Sequence, residues 1–148
     1  MAVRQVIPAS TCGIFLPAIP SLCTLKLGYR LHPELGNHRL ATGCEAAGID
    51  HGVLCAWYGP EGPLISNDEV SAWVAQYPDR LMGAAAVDLH RPVEAVRELR
   101  RCVEELGFRA LRIIPWLWGL PPNDRRYYPL YVACVELNIP FCLQVGHT

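Results

Sequence analysis

The sequence has no apolar run approaching the roughly 20 residues that a membrane helix needs. Its most apolar early stretch, Ile14 to Leu25, is interrupted by Pro17 and Pro20, which break helices. The same prolines make it a poor secretory signal, although Arg4 precedes it. No sign of charge dominates: 13 Lys+Arg stand against 14 Asp+Glu, for a formal net charge of −1. That balance excludes the basic footprint by which a protein grips nucleic acid or an anionic membrane surface. Neither partner is expected. Paired cysteines are also missing. The seven cysteines (Cys12, Cys23, Cys44, Cys55, Cys102, Cys134 and Cys142) include no C-x-x-C. An odd, unpaired set fits neither a stapled secreted scaffold nor a zinc knuckle. Small buried hydrophobes in a reducing cytoplasm are the expectation. Gly-rich phosphate loops are absent as well, for Trp57-Tyr58-Gly59-Pro60 and Val87-Asp88-Leu89 lack the needed glycines.

What is present is one ordinary domain's length, 148 residues, and a hydrophobic fraction of 51 %. That is ample apolar material for a core and excludes intrinsic disorder. From about residue 39 the chain has a rhythm. Gly48, Pro78, Gly107 and Asn138 punctuate it at intervals of 30, 29 and 31 residues. Each mark precedes a short, continuous, β-rich run: Val53 to Trp57, Leu81 to Val87, Ala110 to Ile114 and Phe141 to Val145. Such runs suit strands buried on both faces of a parallel sheet.

Helical patterns fill the gaps. Ser66-Asn67-Asp68-Glu69 is a capping box, opening a helix with Val70, Trp73, Val74 and Tyr77 on one face. Pro92 suits a first turn, and Val93, Val96, Leu99, Val103 and Leu106 form the next stripe. Glu94, Arg97, Glu98, Arg101 and Glu105 would cover its outer face, and Gly107 ends it. A last helix places Leu130, Tyr131, Cys134 and Leu137 inward. Strand and helix alternating every 30 residues predict right-handed βαβ crossovers. The closed eight-fold barrel and the open doubly wound sheet both use this unit. Residues 1 to 38, with Pro8, Pro17, Pro20 and Pro33, do not share the rhythm and are expected to be an irregular leader.

In either fold the site lies at the carboxyl ends of the strands. Trp57, Tyr58, Gly59, Pro60 and Glu61 follow the first run; Asp88 and His90 follow the second. Pro115-Trp116-Leu117-Trp118-Gly119-Leu120-Pro121-Pro122 follows the third, and Gln144, Gly146 and His147 the fourth. Trp57, Trp116 and Trp118 could wall an apolar pocket, or anchor their loops. Asp88 suits a turn or a proton-transfer role. His147, after a strand and a glycine, suits a ligand or acid/base group. Arg112 is a charge inside an apolar strand, where it must pair with a carboxylate such as Asp88 or hold an anionic substrate.

The segments Ala47 to Asp50, Ile65 to Val70, Tyr77 to Arg80, Ala86 to Asp88 and Glu105 to Leu111 run in a specific order. With Tyr128 to Tyr131 and Pro140 to Gly146, they resemble the amidohydrolase-related family, in its aminocarboxymuconate-semialdehyde decarboxylase-like branch. The resemblance covers about residues 39 to 148, which would be the N-terminal half of a metal-dependent (β/α)8 barrel. It implies hydrolysis, or non-oxidative decarboxylation, of a small carboxylated or aromatic compound. Zinc would act there as Lewis acid and water activator. Asp88 and His147 would be the catalytic groups, with Arg112, Trp57, Trp116, Trp118 and Gln144 on the substrate.

The ligand set, however, departs from the family's. Its first-strand His-x-His has no counterpart in residues 1 to 38, where His32 and His38 are six apart. Gln144 stands where the family has a strand-end histidine, and His147 is the one metal ligand this chain could offer, three positions later. A catalytic zinc takes about three protein ligands. The metal is therefore expected in a longer form and not on this chain alone. An inactive fragment and an open α/β binding module are the alternative readings. A small-molecule substrate, a cytoplasmic location and an open question of homo-oligomerisation complete the expectations.

Overall fold

The structure is a computed structural model that describes residues 50–144. The expected leader, 1 to 38, and His147 lie outside the described residues. The chain proceeds through β1 (Gly52–Cys55), β2 (Trp57–Gly59), β3 (Gly62–Ile65) and α1 (Asn67–Val74). It continues through β4 (Leu81–Ala85), α2 (Pro92–Glu104), β5 (Ala110–Ile113) and the short α3 (Pro115–Trp118). A 3-10 turn (Arg125–Tyr127), α4 (Tyr128–Glu136) and β6 (Phe141–Leu143) follow.

The main sheet has four strands in the order β1-β4-β5-β6. Every neighbour pair is parallel, with Cys55 opposite Ala84, Ala84 opposite Ala110, and Arg112 opposite Cys142. The order never reverses. A doubly wound sheet turns back at a switch point, whereas a barrel adds each strand on the same side. The monotonic order is that of a (β/α)8 barrel, of which these four strands are a part. Right-handed crossovers then place the helices in one layer.

The core between sheet and helices follows from the period-two alternation of strands. Leu81 and Ala85 of β4 and Leu111 and Ile113 of β5 join Val70, Leu99, Cys102, Phe108, Leu130 and Cys134. Gly83 belongs to the same face of β4, where an added Cβ would come within 2.5 Å of the Phe108 ring.

The Ser66 capping box forms: its Oγ accepts from the Glu69 amide, and the Glu69 carboxylate accepts from the Ser66 amide at 2.8 Å. Beside it, the side chain of buried Asn67 behaves like a strand residue. Its Nδ2 donates to the Ala86 carbonyl and its Oδ1 accepts from the Ala86 amide, each at 3.0 Å. Its Nδ2 also donates to Glu98, whose carboxylate takes two bonds of 2.8 Å from Arg101. Arg101 in turn reaches Asp68.

Three expectations need correction. On α2, Val93 is exposed and the inward line is Ala95, Leu99 and Cys102. Small residues there pack closest to the sheet. Glu98 and Arg101 of that helix, expected to be plain outer charges, bridge to α1. The segment after β1 is also more than a loop. β2 and β3 form a separate antiparallel hairpin, with Gly59 opposite Gly62.

Candidate functional site

The hairpin, the turn after β4, the α3 loop and the end of β6 all follow the carboxyl ends of parallel strands. Arg112 is the centre of this rim. It alternates with the helix-facing Leu111 and Ile113, so it lies on the opposite, inner face of the sheet, only 2 % exposed. Its guanidinium carbon stands 5.1 Å from the Trp57 ring centroid. Its Nη2 donates to the Gln144 side-chain oxygen. Gln144 is placed for this by its own amide, which extends the β5–β6 ladder by donating to the Ile113 carbonyl. Trp57, Arg112 and Gln144 are thus brought together from three different chain segments. A guanidinium over an aromatic face with one N–H on an amide oxygen is a cation–π and hydrogen-bonded cation, the kind of group that recognises planar anions.

Asp88 takes the turn role that its position after a strand suggests, and not the alternative of a partner for Arg112. Its Oδ1 accepts from the His90 amide at 2.8 Å, and Oδ2 lies 4.0 Å from Arg91 Nε. A short carboxylate after a strand finds its own downstream backbone first, closing an Asx-type turn. Its place on the rim is unchanged, two residues beyond the Ala86 group that Asn67 holds.

The tryptophans divide. Trp118 is buried, stacked on Tyr58 at a centroid distance of 6.2 Å and met edge-on by His90 at 5.1 Å. It anchors the α3 loop to the hairpin. Trp116 is 42 % exposed. The sequence pattern assigns no particular role to Tyr58 or Asn67. The signal for Tyr58 was its alternation with Trp57, which turns neighbours of one strand to opposite faces. Asn67 hid inside the capping box, where its neighbour Ser66 explained the motif.

The α3 loop is held from below. Gly119 closes α3 at φ 62°, a left-handed conformation that suits glycine. The Tyr127 hydroxyl donates to the Leu120 carbonyl at 3.1 Å, and that of Tyr131 to the Pro122 carbonyl at 2.6 Å. Burial pushes Tyr127 up to about 12, and it raises Tyr131 as well. Both stay protonated donors at neutral pH. The buried thiols are quiet for the same reason: desolvation raises Cys102, and raises Cys134 to about 11.

No group of three or more His, Cys, Asp or Glu that could hold a metal ion occurs among the described residues. At the strand end where a ligand would stand, Gln144 offers a neutral amide oxygen already engaged by a cation. The described rim therefore does not fit a metal centre. No helix among the described residues is long and apolar enough to cross a membrane.

A part of a (β/α)8 barrel with a guanidinium on its inner wall defines the class. Residues 51–148 match the amidohydrolase family, and the chain belongs to that family. Over 91 residues it is 35 % identical to gamma-resorcylate decarboxylase of Rhodococcus jostii, covering 53 % of this chain and 26 % of that protein. It is 28 % identical over 86 residues to 2-amino-3-carboxymuconate-6-semialdehyde decarboxylase of Dictyostelium discoideum, covering 55 % and 24 %. Among solved structures it resembles 5-carboxyvanillate decarboxylase of Novosphingobium aromaticivorans, at a TM-score of 0.63 and 28 % identity. That match covers 86 % of this chain and 39 % of the other, which was crystallised with manganese and 3-methoxy-4-hydroxy-5-nitrobenzoic acid. The chain thus spans about a quarter of the length of the curated relatives.

Proposed function

We propose that the chain contributes the carboxylate-gripping wall of an amidohydrolase-type barrel that decarboxylates a small aromatic acid. The observation that carries this is Arg112, a buried cation on the inner face that lies over the Trp57 ring and donates to Gln144. Non-oxidative decarboxylation is favoured over hydrolysis because the relatives named above are decarboxylases. In this reading Arg112 and Gln144 orient the substrate's carboxylate, and Trp57, with Trp116 and Trp118 further out, bounds the ring. Loss of CO2 leaves an electron pair on a ring carbon, which a proton must take up. Asp88 and His147 are the groups assigned to move that proton. A divalent cation, manganese as in the 5-carboxyvanillate decarboxylase or zinc, belongs to the reading for a longer form. No described residue set is assigned to it.

The test uses tryptophan fluorescence of the full chain titrated with gamma-resorcylate and, in parallel, with resorcinol, the same ring without the carboxylate. Gamma-resorcylate should bind and resorcinol should not. Arg112→Gln should weaken the acid about tenfold or more, as loss of a charge-assisted contact does. Equal binding by both ligands, or no effect of Arg112→Gln, would overturn the reading. Measuring CO2 release with and without added manganese then asks whether binding is followed by turnover.

A further inference from the structure

The β2–β3 hairpin is too short to hold itself in place. Its strands have 3 and 4 residues, and a two-stranded ribbon is marginal in water without outside support. Its far end is open to solvent, with Pro60, Glu61, Pro63 and Leu64 exposed. Yet it carries Trp57, whose ring centroid lies 5.1 Å from the guanidinium carbon of Arg112. A cation–π contact needs the charge within about 6 Å of the centroid, so a shift of about one ångström ends it. The hairpin must borrow its position from its surroundings.

Trp57 is bracketed on both sides. Before it, the Ala56 amide donates to the Ala84 carbonyl at 3.0 Å, so the chain is still laddered to β4. After it, Tyr58 turns to the other face of the strand and lies on Trp118, with 6.2 Å between ring centroids and 13° between planes. That is the geometry of an offset stack. Trp118 is a firm platform. It is buried, and the His90 ring meets its edge at 5.1 Å. His90 is seated in turn by its amide on Asp88. The next residue, Gly59, sits so close to α3 that an added Cβ would come within 3.2 Å of Leu117. The row His90, Trp118 and Tyr58 thus ties together the segments that follow β4, β5 and β1. Without the Tyr58 ring, β2 keeps its ladder on the β1 side and its pairing with Ile65, and is free to slide over α3.

We infer that Tyr58 is a positioning residue: stacked on Trp118, it holds Trp57 over Arg112 and keeps the carboxylate grip assembled. Its value to a ligand rests on the function proposed above; the placement of Trp57 does not. Preorganisation lowers the ordering cost of binding, so losing it weakens binding.

Two measurements on the full chain decide it. The first needs no ligand. The near-ultraviolet circular dichroism of Trp57 is isolated by subtracting the spectrum of Trp57→Phe, in the natural sequence and again in the Tyr58→Leu, Tyr58→Met and Tyr58→Phe backgrounds. A tryptophan held in one asymmetric setting gives a band, and a loose one does not. The band should be present in the natural sequence, collapse with Leu or Met, and return with Phe, which keeps the stack. Leu and Met both retain apolar bulk, and far-ultraviolet spectra identify whichever of them folds. A band that survives Leu and Met would mean that β1 and Ile65 hold Trp57 by themselves, and would overturn the inference. So would a natural sequence without the band, or a Phe variant that fails to restore it. The second measurement is equilibrium dialysis with gamma-resorcylate. Tyr58→Leu should weaken binding about tenfold, and Tyr58→Phe should stay within about twofold of the natural chain. Undiminished binding by a Tyr58→Leu variant that has lost the band would overturn the positioning role. If the natural chain does not bind gamma-resorcylate, the proposed function fails, and the dichroism still decides whether Tyr58 holds Trp57.

Discussion

The two faces of the same sheet follow different rules. Toward the helices, Leu81, Ala85, Leu111 and Ile113 are buried in one apolar cluster with the helical side chains. On the inner face, Val53 and Met82 are each 37 % exposed, while Ala84 and Ala110 are small and buried, and Arg112 carries a charge. The outer face is finished by its own crossover helices and is a folding surface. The inner face keeps part-exposed and small residues and the charge of Arg112 toward the barrel interior, and it is the face to which the proposed substrate grip is assigned. Alternation along one strand separates the two roles by a single residue.

The largest test of that contrast is a pair of truncations. Leu111→Ala on the helix side should cost about 2–5 kcal/mol, the transfer loss plus an unfilled cavity. Met82→Ala on the inner face should cost less than about 1 kcal/mol, since its side chain is already part exposed. Urea denaturation of the two variants checks it. Equal losses would mean that the inner face is packed as tightly as the outer.

Much of this was legible in the sequence, because it depends on local repetition. The 30-residue rhythm, the four parallel strands, the capping box at Ser66 and Pro92 at the start of α2 all follow from spacing and residue type. The barrel winding did not, since strand order is a tertiary fact. The β2–β3 hairpin was hidden twice. Trp57 continues the apolar run of β1, and Pro63 argues against a strand except at an edge, which is where β3 lies. The site was legible as a set of positions and not as a set of partners. Arg112 was visible as an anomaly. That it meets Gln144 rather than Asp88 depends on the β5–β6 register, which no pattern within one strand reveals. The buried line of α2 was misjudged toward Val93 because Ala95 and Cys102 carry little hydrophobic weight.

A second, smaller test probes how closely the outer face fits. Gly83→Ala would place a methyl group 2.5 Å from the Phe108 ring, and Phe108 is fully buried. The ring must shift, at a cost of about 1–3 kcal/mol by the usual scale of overpacking. A thermal melt reads this directly. A Gly83→Ala variant as stable as the parent would show that Phe108 has room the close approach denies.

The smallest expected effect concerns pH. The Arg101 guanidinium, bonded to both carboxylate oxygens, holds Glu98 below the usual range, although burial works the other way. A carboxyl depressed in the folded state contributes its full stability above the unfolded value of about 4.3 and loses it as pH falls through the folded value. Glu98 is a third exposed, so solvent reduces the effect. Glu98→Gln should flatten the acid limb of the stability curve and leave its neutral plateau only slightly lowered. An unchanged acid limb would remove Glu98 from the account.

The amide of Asn67 has a wider consequence. It joins the start of α1 to the end of β4 and, through Glu98, to α2. Its hydrogen-bonding needs are met only when three successive pieces of chain have arrived in the right register. A half-assembled intermediate leaves a polar group stranded in an apolar setting, which is unfavourable. Asn67 therefore acts as a proofreading contact. It favours all-or-none assembly of these units, and it fixes the turn bearing Asp88 and His90 to the frame before any ligand arrives.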